Sequence, residues 1–471
     1  MLSKVHDYKL HLRLENLICL LIVAGALLVL SCQGTRSTAT EYELYIDRAV
    51  EVWQFQGSYL VAKGDSILAR GGRGFANLSE QRSNGPKTKF LIGSTTKPFT
   101  AIAILQLVEK GLVDLNLPFR TYINDYTAER ADKVTVHYLL SHRSGIPDVV
   151  SNPEFSSKMR ESITPHEIVE FFQDRPLDFT PGSRYSYSSS NYVLLGLIVE
   201  AVTGPSWNQY IQEHICRKIG MENTGVYYDY AERSDFASGY APGPSGSLVE
   251  VPPIHPSCGY AAGALASTVD DLYQLHKALY DTTLLDCLSI DMMLTQHSPT
   301  YGYGWLIDDF GGHRLTAHGG GAPGYVSIMQ RWLDDSICAI VLCNNVRVPA
   351  YTIANALAAI ALGERYDMPI VKTPLSIQHE RLAECVGTYE LGSGEYRVVS
   401  QGNGGLLVQR SSGPARPVFP EAEDKFYFGR DHLTTISFIR DDLNNVVAHT
   451  LTQAFDQDTA WRVEVADHMN D

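Results

Sequence analysis

The stretch FLIGSTTKPFTAIAILQLVEKG, residues 90–111, decides how the chain is read. Ser94 and Lys97 stand three apart at the mouth of an apolar run from Phe99 to Val108, which closes on Lys110 and Gly111. That run predicts a buried helix with a cationic last turn and a glycine stop. A helix beginning at the serine carries the lysine one turn on, on the same face. Two polar groups on one face of an apolar helix lie close together and partly desolvated. Desolvation lowers an amine's pKa, so Lys97 is then able to take the proton of Ser94 or to keep a neighbouring base deprotonated. The alternative is a serine that caps the helix and a lysine that is solvated, and the four-residue pattern alone does not decide between them.

Upstream, SYLVAKGDSILARGGRGFA (58–76) holds two short alternating runs around Gly64 and Asp65, the pattern of a β-hairpin. Downstream, NYVLLGLIVEAVTG predicts a helix ending at Gly204, and STVDDLYQLHKALY, from Ser267, a helix with an N-cap and an acidic first turn. YGYGWLID, VSIMQRWL and SICAIVLCNN follow as strand-like runs, with Cys338 and Cys343 of the last read as small hydrophobes. Strands at both ends with helices between them imply an α/β fold: an antiparallel sheet completed by distant parts of the chain and flanked by helices, beside a helical subdomain. After a break at GERYDMPIVKTPLS, seven or so short alternating runs predict a small all-β barrel or sandwich. The expected division is a signal peptide over 1–31, a tether over 32–42, the main domain over 43–365, a linker over 366–376 and the β domain over 377–471. That last domain shows no serine, histidine and acid set of its own, and a structural or substrate-gating role is expected for it.

At 471 residues, 44% hydrophobic and 19% charged, the composition is that of an ordinary globular protein of two or three domains. A formal net charge of −15 argues against a nucleic-acid surface or a polybasic membrane patch. Lys4, Lys9 and Arg13 precede an apolar run from Leu17 to Leu30, followed by Ser31 and Cys32. The run is shorter than the roughly 20 residues that span a bilayer, so it reads as a secretory signal, with an uncleaved short anchor as the alternative. VLSC resembles the lipobox of bacterial lipoproteins, which implies a lipid on Cys32 and a protein held outside the cytoplasm on a bacterial membrane, in the periplasm or at the cell surface. The other cysteines are scattered, and a Cys258–Cys287 disulfide is conceivable but has no pattern behind it. The chain has no CxxC pair and no HExxH, so no metal or other cofactor is expected.

The segments FLIGSTTKPFTAIAILQLVEKGLVDLNLPF, VTVHYLLSHRSGIPD, FTPGSRYSYSSSNYVLLGLIVEAVTG, GYAAGALASTVDDL and HGGGAPGY, in this order, resemble the serine β-lactamase and penicillin-recognising hydrolase superfamily, in its class C β-lactamase, D-aminopeptidase and esterase branch. The resemblance spans most of residues 50–345. It implies that Ser94 is the nucleophile and Lys97 its paired lysine. Tyr187 would relay a proton between nucleophile and leaving group, as a phenolate or a hydrogen-bonded phenol. His318 would stand at the family's third motif beside Gly319 and Gly320, with the N–H groups of Ser94 and Gly321 forming an oxyanion hole. No GxSxG elbow competes for the nucleophile.

Two departures bear on the substrate. The family's Tyr-x-Asn reads Tyr187, Ser188, Ser189 here, and a serine hydroxyl spans less than an asparagine amide. Asn191, two residues on, either reaches the cleft or does not. His318 stands where a lysine would give a permanent cation for a substrate carboxylate, and histidine is mostly neutral at pH 7. The expected function is a serine hydrolase that acts through an acyl-enzyme on a small-molecule or peptide ester or amide, with substrate contacts at Ser189, Gly320 and Gly321. A β-lactamase or D-alanyl-D-alanine carboxypeptidase, and a slowly turning-over penicillin-binding sensor, are the alternatives.

Overall fold

The computed structural model describes residues 40–123, 126, 131–243, 247–391, 395–402, 405–410, 415–429, 433–453 and 456–463. The expected signal segment and Cys32 lie outside the described residues. The first described helix, α1 (Glu41–Trp53), takes in the last two residues of the span read as a tether.

Six strands make the central sheet: β1 (Gly57–Lys63), β2 (Ser66–Arg73), β3 (Leu306–Phe310), β4 (His313–Ala322), β5 (Tyr325–Trp332) and β6 (Ile337–Cys343). Their order is β2-β1-β6-β5-β4-β3, antiparallel throughout. The first hairpin turns at Gly64, whose φ of +55° suits glycine, and β1 then pairs with β6 from Gly57↔Cys343 to Lys63↔Ile337. The sheet is thus closed by segments nearly three hundred residues apart in the chain. Every residue of β6 is buried, Cys338 and Cys343 included, as its unbroken apolar run predicts.

The strand expected over YGYGWLID begins only at Leu306. Gly304 has φ +78°, and a Cβ there would come within 2.9 Å of the Ala101 methyl, so the preceding residues turn and pack on the Ser94 helix instead of joining the sheet.

Helix α2 (Lys97–Glu109) is buried from Lys97 to Leu107, and α3 (Ser189–Thr203) from Ser189 to Val199. Neither has a polar face, because each is wrapped by other helices at the centre of the domain. Gly111 (φ +68°) follows the C-cap of α2, and Gly204 (φ +91°) is the C-cap of α3. In α4 (Val269–Ala278) the Thr268 side chain caps the N–H of Asp271. Helix α5 (Ala350–Leu362) lies on the sheet, where Gln330 of β5 donates to Asn355 at 2.5 Å.

Beyond residue 384, strands β7 (Gly387–Leu391), β8 (Tyr396–Gly402), β9 (Gly405–Arg410), β10 (Arg416–Ala422), β11 (Lys425–Phe428), β12 (Thr435–Arg440), β13 (Val446–Gln453) and β14 (Asp456–Val463) form a closed barrel, which decides between barrel and sandwich. Its interior is a separate core around Tyr389, Val399, Leu406, Val418, Phe426 and Ile436. Among the described residues all six cysteines are free thiols; Cys258 is buried and Cys287 exposed, so the conceivable pairing between them is not made.

Candidate active site

Ser94 lies in a single 3-10 turn, Gly93–Thr96, and the α-helix starts only at Lys97, three residues later than a helix begun at the serine. The tighter turn still brings the pair together: Lys97 Nζ donates to Ser94 Oγ at 3.0 Å and to the Ala262 carbonyl at 2.9 Å. Between Phe90 and Leu107, Ser94 is the one residue that is not buried, whereas Lys97 is fully enclosed. The rings of Tyr187 and Tyr192 lie 5.0 and 5.6 Å from the Lys97 ammonium. Burial pulls the amine down to about 7, against a smaller upward pull from Asp148. The solvated-lysine reading is therefore set aside.

The turn is stitched to strand β4. Thr95 Oγ1 donates to the His318 carbonyl at 3.2 Å, and Ser327 Oγ donates to the Ile92 carbonyl at 2.7 Å. Glycine is needed where these backbones meet. Gly93 has φ +49°, with the place of its missing Cβ 2.5 Å from the Gly321 carbonyl oxygen, and a Cβ on Gly320 would overlap the Ile92 oxygen. Counted back from the two-residue turn at Pro323 and Gly324, Ala322 and Gly320 exchange hydrogen bonds with β5, which sends the N–H of Gly321 to the opposite edge. That edge is unpaired beyond Ala317. A Cβ on Gly321 would meet nothing within 4 Å, so this position opens on free space beside Ser94.

Tyr187 is half-buried and hydrogen-bonded to Ser94. Burial holds its phenol well above the usual 10, so of the two forms expected for the relay the structure favours the protonated phenol. His142 packs against it, ring centroids 4.3 Å apart. This histidine is fully buried with φ +54°, and its Nδ1 accepts from the N–H of Ser188 at 3.2 Å and the amide of Asn191 at 3.1 Å. Asn191 in turn accepts from Ser144 Oγ at 2.6 Å. Its amide is thus tied into the wall and does not replace the missing asparagine. Ser189 starts α3, where its N–H donates to Asp148 Oδ1 at 2.9 Å.

His318 is held in a way the sequence did not suggest. It is 3% exposed, its Nδ1–H donates to the Gly319 carbonyl at 2.7 Å, and its Nε2 accepts from the Tyr301 hydroxyl at 2.9 Å. Burial, helped by the Lys97 charge, pushes it down to about 3. With both nitrogens engaged the ring is a neutral buttress for Tyr301 and has no free edge for a substrate. Tyr301, His142 and Asp148 had no assigned role in the sequence reading. The last two sit in the quoted SHRSGIPD segment, and Tyr301 was hidden in a run taken for a strand.

Residues 50–363 match the Beta-lactamase family. The chain belongs to the beta-lactamase family. Within it, the chain is 28% identical over 402 residues to penicillin-binding protein 4* of Bacillus subtilis strain 168, covering 80% of this chain and 88% of that one. Among solved structures it is similar to the octameric penicillin-binding protein homologue from Pyrococcus abyssi, at 27% identity and TM-score 0.64, over 89% of this chain and 99% of that one. D-amino acid amidase from Ochrobactrum anthropi SV3 is also 27% identical, with TM-score 0.55, over 64% of this chain and 89% of that one. This member of the beta-lactamase family is thus of the serine-hydrolase type shared by penicillin-binding proteins and D-amino acid amidases.

Proposed function

We propose that the chain is a serine hydrolase that cleaves an ester or amide through an acyl-enzyme at Ser94. The observation that carries this reading is the 3.0 Å contact between Ser94 Oγ and an enclosed Lys97 whose amine is poised at about 7. Half of that amine is free base near neutrality, so it accepts the serine proton as Oγ bonds to the carbonyl carbon. Oxygen charge on the tetrahedral intermediate falls between the N–H groups of Ser94 and Gly321, with Gly320 allowing the close approach. Tyr187 passes its phenolic proton to the leaving group and regains one from Lys97. Water then attacks the acyl-enzyme by the reverse relay, releasing the acid and restoring Ser94. Ser189 lines the cleft, and His318 acts through Tyr301, holding its hydroxyl at the strand edge.

A second reading, action on β-lactams or D-alanyl-D-alanine termini with fast or slow deacylation, is supported by the penicillin-binding name of the Bacillus relative. A lipid on Cys32 and an extracytoplasmic location complete the proposal. The test is turnover of a chromogenic short-chain ester, a D-alanyl p-nitroanilide and a chromogenic cephalosporin by the full chain, with Ser94→Ala as control. Ser94-dependent turnover of the first two supports the hydrolase. Stoichiometric labelling by the cephalosporin without turnover of any substrate would replace it by the sensor. Activity intact in Ser94→Ala would remove the mechanism.

A further inference from the structure

Arg331 of β5 is a charge that the fold encloses and does not answer. It is fully buried, and its Nε, Nη1 and Nη2 all lack a hydrogen-bond partner among the described residues. A guanidinium keeps its proton in a protein, and an unpaired one held away from water is strongly destabilising. Two rings lie against it, with the guanidinium carbon 5.0 Å from the centroid of Tyr280 and 5.6 Å from that of Trp305. Their π faces attract the charge, but the N–H groups in the guanidinium plane stay unsatisfied.

The surroundings add donors. In the antiparallel register Thr316 of β4 and Cys338 of β6 stand directly opposite Arg331, so the three side chains share one face of the sheet. Thr316 Oγ1 is buried without a partner among the described residues, and so is Trp305 Nε1. His276 of α4, its ring 5.0 Å from that of Tyr280, has an unpartnered Nδ1 as well. Burial first, and the Arg331 charge second, push this histidine down to about 3, so it is neutral. Burial also holds the Cys338 thiol and the Tyr280 phenol above their ordinary values, so neither supplies a negative charge. The two carboxylates that face Tyr280 are engaged elsewhere: Asp334 accepts from Arg314 at 2.6 Å, and Asp335 is paired with His313 at 2.7 Å. One positive charge is thus set among hydrogen-bond donors, with no carboxylate on it among the described residues.

We propose that Arg331, with Thr316 and Trp305, holds a small monovalent inorganic anion of the chloride class between β4, β5 and α4. One negative charge balances the one guanidinium, and enclosure beneath Tyr280 leaves no room for an organic acid. Thr316 is two residues from His318 on the same face of β4, so the anion stands beside the cleft wall and does not enter the Ser94 chemistry. The full chain is unfolded with urea at neutral pH in sodium chloride and sodium gluconate mixed at one ionic strength. An anion that binds the folded state alone raises the folding equilibrium constant tenfold for each tenfold rise in chloride above its dissociation constant. Arg331→Met, which removes the charge, should abolish that dependence, and Thr316→Val should need more chloride for the same gain. Crystals grown in sodium bromide should show an anomalous peak within hydrogen-bond reach of the Arg331 guanidinium. A folding constant that ignores chloride in the wild type, an equal dependence in Arg331→Met, or a bromide-free site filled by water would each overturn the proposal. Should Arg331→Met fail to fold, an unaltered chloride requirement in Thr316→Val or the missing bromide peak does so in its place.

Discussion

Replacing Lys97 by Met should make the protein more stable and inactive, and both effects should follow pH in a way set by one amine. In the unfolded chain the lysine titrates near 10.5, and in the fold it is pulled to about 7 because its ammonium is wholly buried. The folded pKa is the lower, so the unfolded state binds more protons between these values, and stability rises with pH across that window. The gap of 10.5 − 7 is about 3.5, which at about 1.4 kcal/mol per pKa unit is a cost of about 5 kcal/mol well below pH 7. By the same linkage the cost is about 4 kcal/mol at pH 7 and about 2 kcal/mol at pH 9. Met removes this cost but leaves the Ala262 carbonyl without its donor, a loss of about 1–2 kcal/mol. The net expectation is a gain of about 2 kcal/mol at pH 7 that vanishes near pH 9. Urea unfolding of both proteins at pH 6, 7, 8 and 9 measures it. For the wild type, log kcat/KM should fall with unit slope below a midpoint near 7. A midpoint above 9, or a Met variant less stable than wild type at pH 6, would show that the lysine is not desolvated and refute the reasoning.

Three further outcomes follow from the same geometry. Gly320→Ala should lose about 2 kcal/mol or more in urea unfolding, because its Cβ overlaps the Ile92 carbonyl, whereas Gly321→Ala should unfold like wild type. Tyr187→Phe should keep its unfolding midpoint and lose roughly 10²–10⁴-fold in kcat, since the hydroxyl on Ser94 is removed while the ring stays packed on His142. Among the described residues, iodoacetamide on the native protein should modify Cys287 alone, as read by peptide mass, and the five buried thiols only after unfolding.

Much of the fold was legible because local chemistry and tertiary structure agree. The Gly64 turn, the glycines after α2 and α3 and the unbroken apolar β6 each state their structure within ten residues or so. Where glycine served a tertiary purpose the reading failed: Gly304 sits in a run read as strand, yet its missing Cβ lets the residues before β3 pack on α2. At the candidate site, the meeting of Ser94, Lys97 and Tyr187 was readable through the order of their segments. The role of His318 was not, since only the fold reveals that Tyr301 takes its Nε2.

The site assembles three basic side chains, Lys97, His142 and His318, and keeps each from holding a full charge near pH 7. Burial is the first cause for all three, and the Lys97 charge further lowers both histidines. The effect is mutual: a protonated histidine here would raise the cost of a protonated lysine, and the Asp148 carboxylate opposes it. A cleft arranged this way can present Lys97 as a base at neutrality only while it stays poor in charge. Placing a permanent cation at position 318 would push Lys97 lower still, and placing a carboxylate against Ser94 would raise it and return the proton to the amine. Recognition of a charged substrate therefore has to be built outside this shell, at a distance where it leaves the Lys97 equilibrium alone. It follows that His318→Lys should move the acidic limb of the neutral-ester profile below 7. A limb that stays near 7 would mean that a charge at position 318 does not reach the Lys97 amine.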